Sequence, residues 1–128
     1  MTETPAENAV RQLPPCPRTP NCVSTQAPPG LHRMEPIPYS GSLAEARERL
    51  LAVLRAYPRT RIVREEPDYL KAECRSRLFR FVDDVELVLD DQGKQIHFRS
   101  ASRLGYGDRG VNRKRMKEIR AAFLAAGG

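Results

Sequence analysis

The sequence predicts an α+β domain: a four-stranded antiparallel meander with two helices on one face, preceded by a Pro-rich irregular arm. Apolar residues recur at helical spacing in residues 43–57 and again in residues 112–123. Between these segments, residues 61–103 contain four stretches that alternate between apolar and polar side chains, separated by short turns. Eight of the eleven prolines lie between Pro14 and Pro38, which argues against a long helix or strand there.

The chain divides into three parts on these grounds. Its 128 residues are enough for one domain. We expect residues 1–13 to form a disordered N-terminus, because they are mostly small and polar. Residues 14–40 form the Pro-rich arm, called the arm below, which we expect to be ordered by packing on the domain. Residues 41–126 form the α+β domain itself.

The first helix has a beginning and an end that can be read from the sequence. Ser42 and Glu45 form a capping box, in which Ser42 is the N-cap and Glu45 is the third helical residue. Apolar residues such as Leu50 and Leu54 follow on one side, and Pro58 stops the helix. We expect this apolar stripe to face the core.

Four strands follow the first helix. The first is predicted at 61–64, the second at 69–75, the third at 78–89 and the fourth at 94–103. Alternation along the second strand places Cys74 on its apolar face, as a small buried side chain. Each strand is joined to the next by a short turn, so the predicted topology is a meander.

The third strand carries three acidic residues within four positions. Asp83 and Phe81 lie on the apolar face, which we expect both helices to cover. Asp84 and Glu86 point to the opposite face. That polar face is either exposed or covered by the arm. The hydrophobic pattern also predicts a register with the fourth strand. The predicted pairs are Leu87 with Ile96, Val85 with Phe98, Asp83 with Ser100, Asp84 with Arg99, and Glu86 with His97.

A glycine-rich loop at 104–108 leads to a second helix, predicted to start near Gly110–Asn112 and to end at Gly127. Residues 99–128 hold eight basic and two acidic residues, so they carry the whole net charge of +6. This asymmetry favours an anionic partner, which could be a phosphorylated ligand, nucleic acid or an acidic membrane surface. The alternative is a solvated helix face.

Several segments together resemble the DUF1499 family. They are Cys16-Pro17, Pro20–Ser24, Phe81–Glu86, Arg99–Tyr106 and Gly110–Arg115. The resemblance extends from about Cys16 to the last helix and therefore covers most of the chain. The family is one of unknown function, so the resemblance implies a common domain and almost no chemistry.

The residues themselves point to an anion-recognising corner where the fourth strand meets the second helix. A helix N-terminus presents free N–H groups and a partial positive charge, and the neighbouring glycines let a ligand approach the backbone. The ligand-binding residues predicted there are Asp83, Ser100, Ser102, Arg103, Asn112 and Arg113. A small anionic ligand is one occupant; the other is internal, with Asp83 itself filling the corner.

A second cluster lies on the polar face and consists of Asp84, Glu86, His97 and Arg99. Two carboxylates and a histidine are suited to acid–base chemistry, so a hydrolase-like enzyme that uses this face or Asp83 is the first alternative function. Cross-strand ion pairs explain the same residues without catalysis. We favour a ligand- or partner-binding domain over an enzyme, and assign no catalytic residue, metal ligand or cofactor.

Cys16 and Cys22 bracket a Pro-rich turn, and three interpretations stay open for them. They form a disulfide in an oxidising compartment, stay as two reduced thiols, or join His32 in a metal site whose ligand set is short by one. The first is favoured in a periplasm and the second in a cytosol.

The remaining predictions concern partners and location. The basic second helix makes a nonspecific nucleic-acid or membrane-surface binder the second alternative function, although the sequence has no known nucleic-acid-binding motif. No apolar run is long enough to span a membrane. Neither a signal peptide nor another leader is visible, so we expect a cytoplasmic protein, or a periplasmic one if the true start lies upstream.

Overall fold

The computed structural model describes residues 10–77 and 81–127, in two helices and six strands. The predicted disorder of residues 1–9 and the predicted strand start at 78–80 lie outside these residues. The elements in chain order are β1 (Cys22–Ser24), β2 (Ile37–Pro38), α1 (Leu43–Ala56), β3 (Thr60–Glu66), β4 (Tyr69–Arg75), β5 (Val82–Asp90), β6 (Gln95–Ser102) and α2 (Val111–Ala125).

The sheet confirms the α+β class and the antiparallel meander, but it is larger than predicted. Strands β3, β4, β5 and β6 are neighbours in that order, and all of their pairings are antiparallel. The arm adds β1 and β2, which both pair with β6. The arm is thus irregular except for these two short strands, which the sequence did not predict. Segments of two or three residues are too short for an alternating pattern to reveal, yet they can still hydrogen-bond to the open edge of β6.

The register between β5 and β6 differs from the prediction by two residues. Val85 lies opposite Ser100, Asp83 opposite Ser102, and Asp84 opposite Ala101; Glu86 pairs with Arg99, Leu87 with Phe98 and Leu89 with Ile96. A shift of two leaves every side chain on its predicted face, so the hydrophobic pattern fits both registers equally well. The turn decides between them, because Gly93 N donates to Asp90 Oδ1 and Lys94 has a positive φ of 52°.

Helix α1 begins and ends as predicted. Glu45 N donates to Ser42 Oγ at 3.1 Å, and Ser42 N donates to Glu45 Oε1 at 2.9 Å, which completes the capping box. Tyr57 has an extended backbone, as is usual for a residue that precedes proline. The apolar stripe of α1 lies in the core and includes Leu50 and Leu54.

Both helices contribute to one hydrophobic core on the apolar face of the sheet. The core contains Phe98 of β6 and Phe123 of α2, and it also contains Cys74 as a free thiol. The prediction for Phe81 was wrong, because we expected it on the face covered by the helices and it is 58% exposed. It lies before the first residue of β5, where its backbone N–H donates to Ser76 Oγ.

The segment that leads into the arm crosses part of the opposite face of the sheet. Leu13 is buried with Tyr69 and Val88, and the guanidinium of Arg11 lies 3.9 Å from the centre of the Tyr69 ring. Arg11 also forms an ion pair with Glu66. The polar face is therefore covered here, and Leu13 is buried although we assigned it to a disordered segment.

A disulfide joins Cys16 to Cys22, with Cα atoms 5.7 Å apart. Of the three interpretations that the sequence left open for these residues, the structure contains this one. Because Cys22 belongs to β1, the bond ties the preceding loop to the edge of the sheet. Neither helix in the described part of the chain is long and apolar enough to cross a membrane.

Candidate functional site

Polar side chains cluster beneath the surface of the domain, where the end of β6 meets the start of α2. Arg115 is at their centre. It donates from Nη2 to Asp83 Oδ2 at 2.7 Å, and from Nη1 to Asn112 Oδ1 at 2.8 Å and to Ser100 Oγ at 3.2 Å. Ser100 in turn donates to Asn112 Oδ1 at 2.7 Å. A charge at this depth is tolerated because each group has a partner.

Asp108 occupies the N-terminus of α2. Its Oδ2 accepts hydrogen bonds from the backbone and side-chain nitrogens of Asn112, at 3.0 and 2.7 Å, and its Oδ1 accepts one from Gly110 N at 2.8 Å. Burial raises the pKa of Asp108, but the hydrogen bonds from Asn112 and Gly110 outweigh it, so the pKa lies below its usual value. The helix therefore has an internal anion at the end that attracts one.

Asn21 connects the arm to the same place. Its carbonyl accepts from Ser102 N and from Asn112 Nδ2, and its own side chain donates to the carbonyl of Gly105 at 2.9 Å. Asn112 Nδ2 also donates to Ser102 Oγ at 3.0 Å. We call this set of residues the junction network. It comprises Asn21, Asp83, Ser100, Ser102, Asp108, Asn112 and Arg115.

Of the six ligand-binding residues predicted from the sequence, four are brought together in the junction network: Asp83, Ser100, Ser102 and Asn112. Arg103 lies nearby but outside the network, and its guanidinium makes two 2.8 Å contacts with Asp84 and one of 2.7 Å with Glu73. Arg113 donates to the backbone carbonyls of Leu31 and Arg33 in the arm. Arg115 supplies the guanidinium that the sequence analysis assigned to Arg103 and Arg113.

The sequence did not single out Arg115, Asp108 and Asn21 as members of this network. The spacing of Arg115 from Asn112, three positions along a helix, places both on one side and could have shown that they act together. The position of Asp108, just before the helix, is also typical of a capping residue. Asn21 carries no such signal, because its role depends on where the arm lies.

A cleft of about 530 Å³ opens beside the junction network, and we call it the junction cleft. Its polar lining residues, called the polar floor below, include Asp83, Ser102 and Asp108. Its apolar lining residues, called the apolar wall, include the exposed side chains of Leu104 and Val111. Phe81 lines it as well. The cleft thus combines an apolar wall with a few polar groups that internal hydrogen bonds hold in place.

The second predicted cluster does not form one site. Glu86 accepts from Tyr69 Oη at 2.6 Å and lies 3.9 Å from Arg99. Asp84 is bound by Arg103, and this hydrogen bond holds the pKa of Asp84 below its usual value.

His97 lies on β6, and its contacts are with residues other than the two acids of β5. Its Nδ1 lies 3.0 Å from Thr25 Oγ1, and burial lowers the pKa of the ring. Within the two described segments, 10–77 and 81–127, no group of three or more metal-ligating side chains comes together.

These features define a small α+β domain with a hydrogen-bonded polar network beneath an apolar-walled cleft. The chain belongs to the family described as "Protein of unknown function (DUF1499)", whose model matches residues 12–123. Among curated proteins, a search with this chain gave no match.

Proposed function

We propose that this protein is a binding domain for a small ligand with an apolar body, and that the ligand lies in the junction cleft. One observation carries the proposal. Leu104, 76% exposed, and Val111, 47% exposed, face the same concavity as the exposed ring of Phe81, above a polar floor. Single exposed apolar residues are ordinary, but several around one cleft are typical of a ligand site.

The polar floor favours a ligand end that donates hydrogen bonds. Two carboxylates, Asp83 and Asp108, lie there, and only Asp83 is neutralised by a buried guanidinium. At the start of α2, the N–H groups of Gly110 and Asn112, which could otherwise hold an external anion, already donate to the Asp108 carboxylate. These contacts support the alternative in which a carboxylate of the protein itself fills the corner, although that carboxylate is Asp108 where we expected Asp83. We therefore propose a neutral or cationic polar end for the ligand.

The hydroxyl groups of the site support binding over catalysis. Ser100 Oγ donates to an amide oxygen and accepts from Arg115, so its partners supply no base that could remove its proton. Ser102 Oγ accepts from Asn112. The hydrolase alternative and the surface-binder alternative stay predictions.

Binding of Nile red, an uncharged apolar dye, tests the proposal. Leu104→Gln and Val111→Gln should each weaken binding about fivefold, because each removes about 1 kcal/mol of apolar contact. Leu124→Gln is the matched control, since Leu124 is 43% exposed on α2 and outside the cleft. Equal dye affinity in all three variants would contradict the proposal.

The polar end can be tested on the same protein. Thermal-shift measurements with a series of alkyl amines, alcohols and carboxylates of equal chain length should show the largest stabilisation for the amines or alcohols. If the carboxylates stabilise the protein most, the floor recognises an anion and the sequence prediction of an external anion regains support.

A further inference from the structure

A second cleft, about 730 Å³ in volume, lies between the end of α1 and strands β3 and β4. Among the described residues that line it, five are arginines and one is a glutamate, Glu73. The arginines are Arg55, Arg59, Arg61, Arg75 and Arg77. We call it the arginine cleft. It lies outside the region where the sequence places the excess positive charge, since residues 41–98 hold equal numbers of basic and acidic residues.

The backbone holds Arg59 and Arg75 against each other in this cleft. Arg75 N donates to the carbonyl of Arg59 at 3.0 Å, and Arg59 Nε donates to the carbonyl of Arg75 at 3.2 Å. Arg59 also has a positive φ of 53°, a backbone conformation that residues other than glycine and asparagine seldom adopt. Strained backbone of this kind is found preferentially at functional sites.

The positive charge of the cleft is only partly balanced inside the protein. Glu73 is shared among Arg61 at 3.3 Å, Arg75 at 3.8 Å and Arg103 at 2.7 Å. Within the described part of the chain, the guanidinium groups of Arg55 and Arg77 make no salt bridge or side-chain hydrogen bond. Arg61 is 72% exposed and can turn toward a ligand.

The arginines of α2 are, by contrast, bound to other parts of the protein. Arg113 donates to carbonyls of the arm, Arg115 is paired with Asp83, and Arg120 donates to the carbonyls of Glu35 and Pro36. Their charges tie the helix to the rest of the fold. In the arginine cleft, by comparison, the guanidinium groups of Arg55 and Arg77 remain available to a partner.

We propose that the arginine cleft binds a phosphate group. Guanidinium groups form paired hydrogen bonds with phosphate oxygens and remain charged at any physiological pH, and several around one cleft match the charge of a mono- or diphosphate. The phosphate belongs either to a small soluble ligand or to a lipid headgroup. This proposal does not depend on the junction cleft, so either site can fail without the other.

Titration calorimetry of the full chain with inorganic pyrophosphate at constant ionic strength tests the first source. The double variant Arg55→Gln/Arg77→Gln should weaken binding about tenfold. The control Lys114→Gln/Lys117→Gln removes the same charge from exposed positions on α2 and should change affinity less than about twofold. Equal losses in the two double variants would overturn the proposal, because they would show attraction by net charge alone.

Sedimentation with vesicles tests the second source. Vesicles of phosphatidylcholine with phosphatidylglycerol are compared with vesicles of phosphatidylcholine alone, using the same variants. Binding to the anionic vesicles that is lost only in Arg55→Gln/Arg77→Gln supports a lipid headgroup, even if pyrophosphate gives no heat. Absence of binding to both pyrophosphate and anionic vesicles would overturn the proposal.

Discussion

Arg115 Nη2 donates to Asp83 Oδ2 across 2.7 Å, and the two side chains are only 8% and 12% exposed. The pair joins the first turns of α2 to the start of β5. It lies beside the core and under the junction cleft, so it bears on both stability and site geometry. Removing one partner of such a buried ion pair destabilises the fold, because the other residue is left as an uncompensated buried charge.

Asp83→Asn and Asp84→Asn should therefore differ in cost. Asp83→Asn leaves Arg115 without its carboxylate and should lower the free energy of unfolding by about 1–3 kcal/mol. Asp84→Asn weakens an ion pair with the half-exposed Arg103, which still pairs with Glu73 in the variant. It should therefore lower the free energy of unfolding by only about a few tenths of a kcal/mol. Urea unfolding of the two variants measures both values. Equal and small losses would show that the Arg115–Asp83 pair does not carry this weight.

Asp108 should contribute to acid unfolding. Its folded pKa is lowered, so the carboxylate stabilises the fold above its unfolded pKa of about 4, and this contribution is lost as the pH falls through the folded pKa. In Asp108→Asn this share is absent, and the free energy of unfolding should fall less steeply below about pH 4 than in the wild type. Denaturant titrations from pH 7 to pH 3 compare the slopes. Parallel profiles would contradict the role assigned to Asp108.

The elements that the sequence predicted well are those set by local signals. The capping box at Ser42 and the proline at Pro58 mark the ends of α1 in the chain itself, and alternation marks the meander. The predicted register of β5 and β6 was wrong, because the alternation of apolar and polar residues repeats every two residues and cannot detect a shift of two. Only the geometry of the turn at Asp90–Lys94 separates the two registers.

The members of the junction network were predicted in part for a similar reason. Asp83, Ser100 and Asn112 were recognised because polar residues on apolar faces need partners, and that need is visible in the pattern. Which guanidinium satisfies them depends on how α2 lies over the sheet, so Arg115 could not be separated from Arg103 and Arg113.

The disulfide should stabilise the arm measurably. The double variant Cys16→Ser/Cys22→Ser opens a short loop and should lower the free energy of unfolding by about 2 kcal/mol at most, by the chain-entropy estimate. Thiol titration of unreduced protein in guanidinium chloride should detect only Cys74, which burial protects in the native state. Three titratable thiols in freshly isolated protein would contradict the bond.

Two glycines in the loop before α2 provide the last prediction, with one serving as the control for the other. Gly110 has a φ of +78° and Gly107 has no such left-handed conformation, and a Cβ at either position would meet no atom within 4 Å. Gly110→Ala should therefore cost about 1–2 kcal/mol through backbone strain alone. Gly107→Ala should be neutral, or stabilising by about 0.4–1 kcal/mol, because alanine restricts the unfolded chain. Urea unfolding measures both substitutions, and the difference between them reports how strictly the backbone at Gly110 is held. If Gly110→Ala is as harmless as Gly107→Ala, the loop adapts freely, and Asp108 does not depend on this turn to reach the N–H groups of α2.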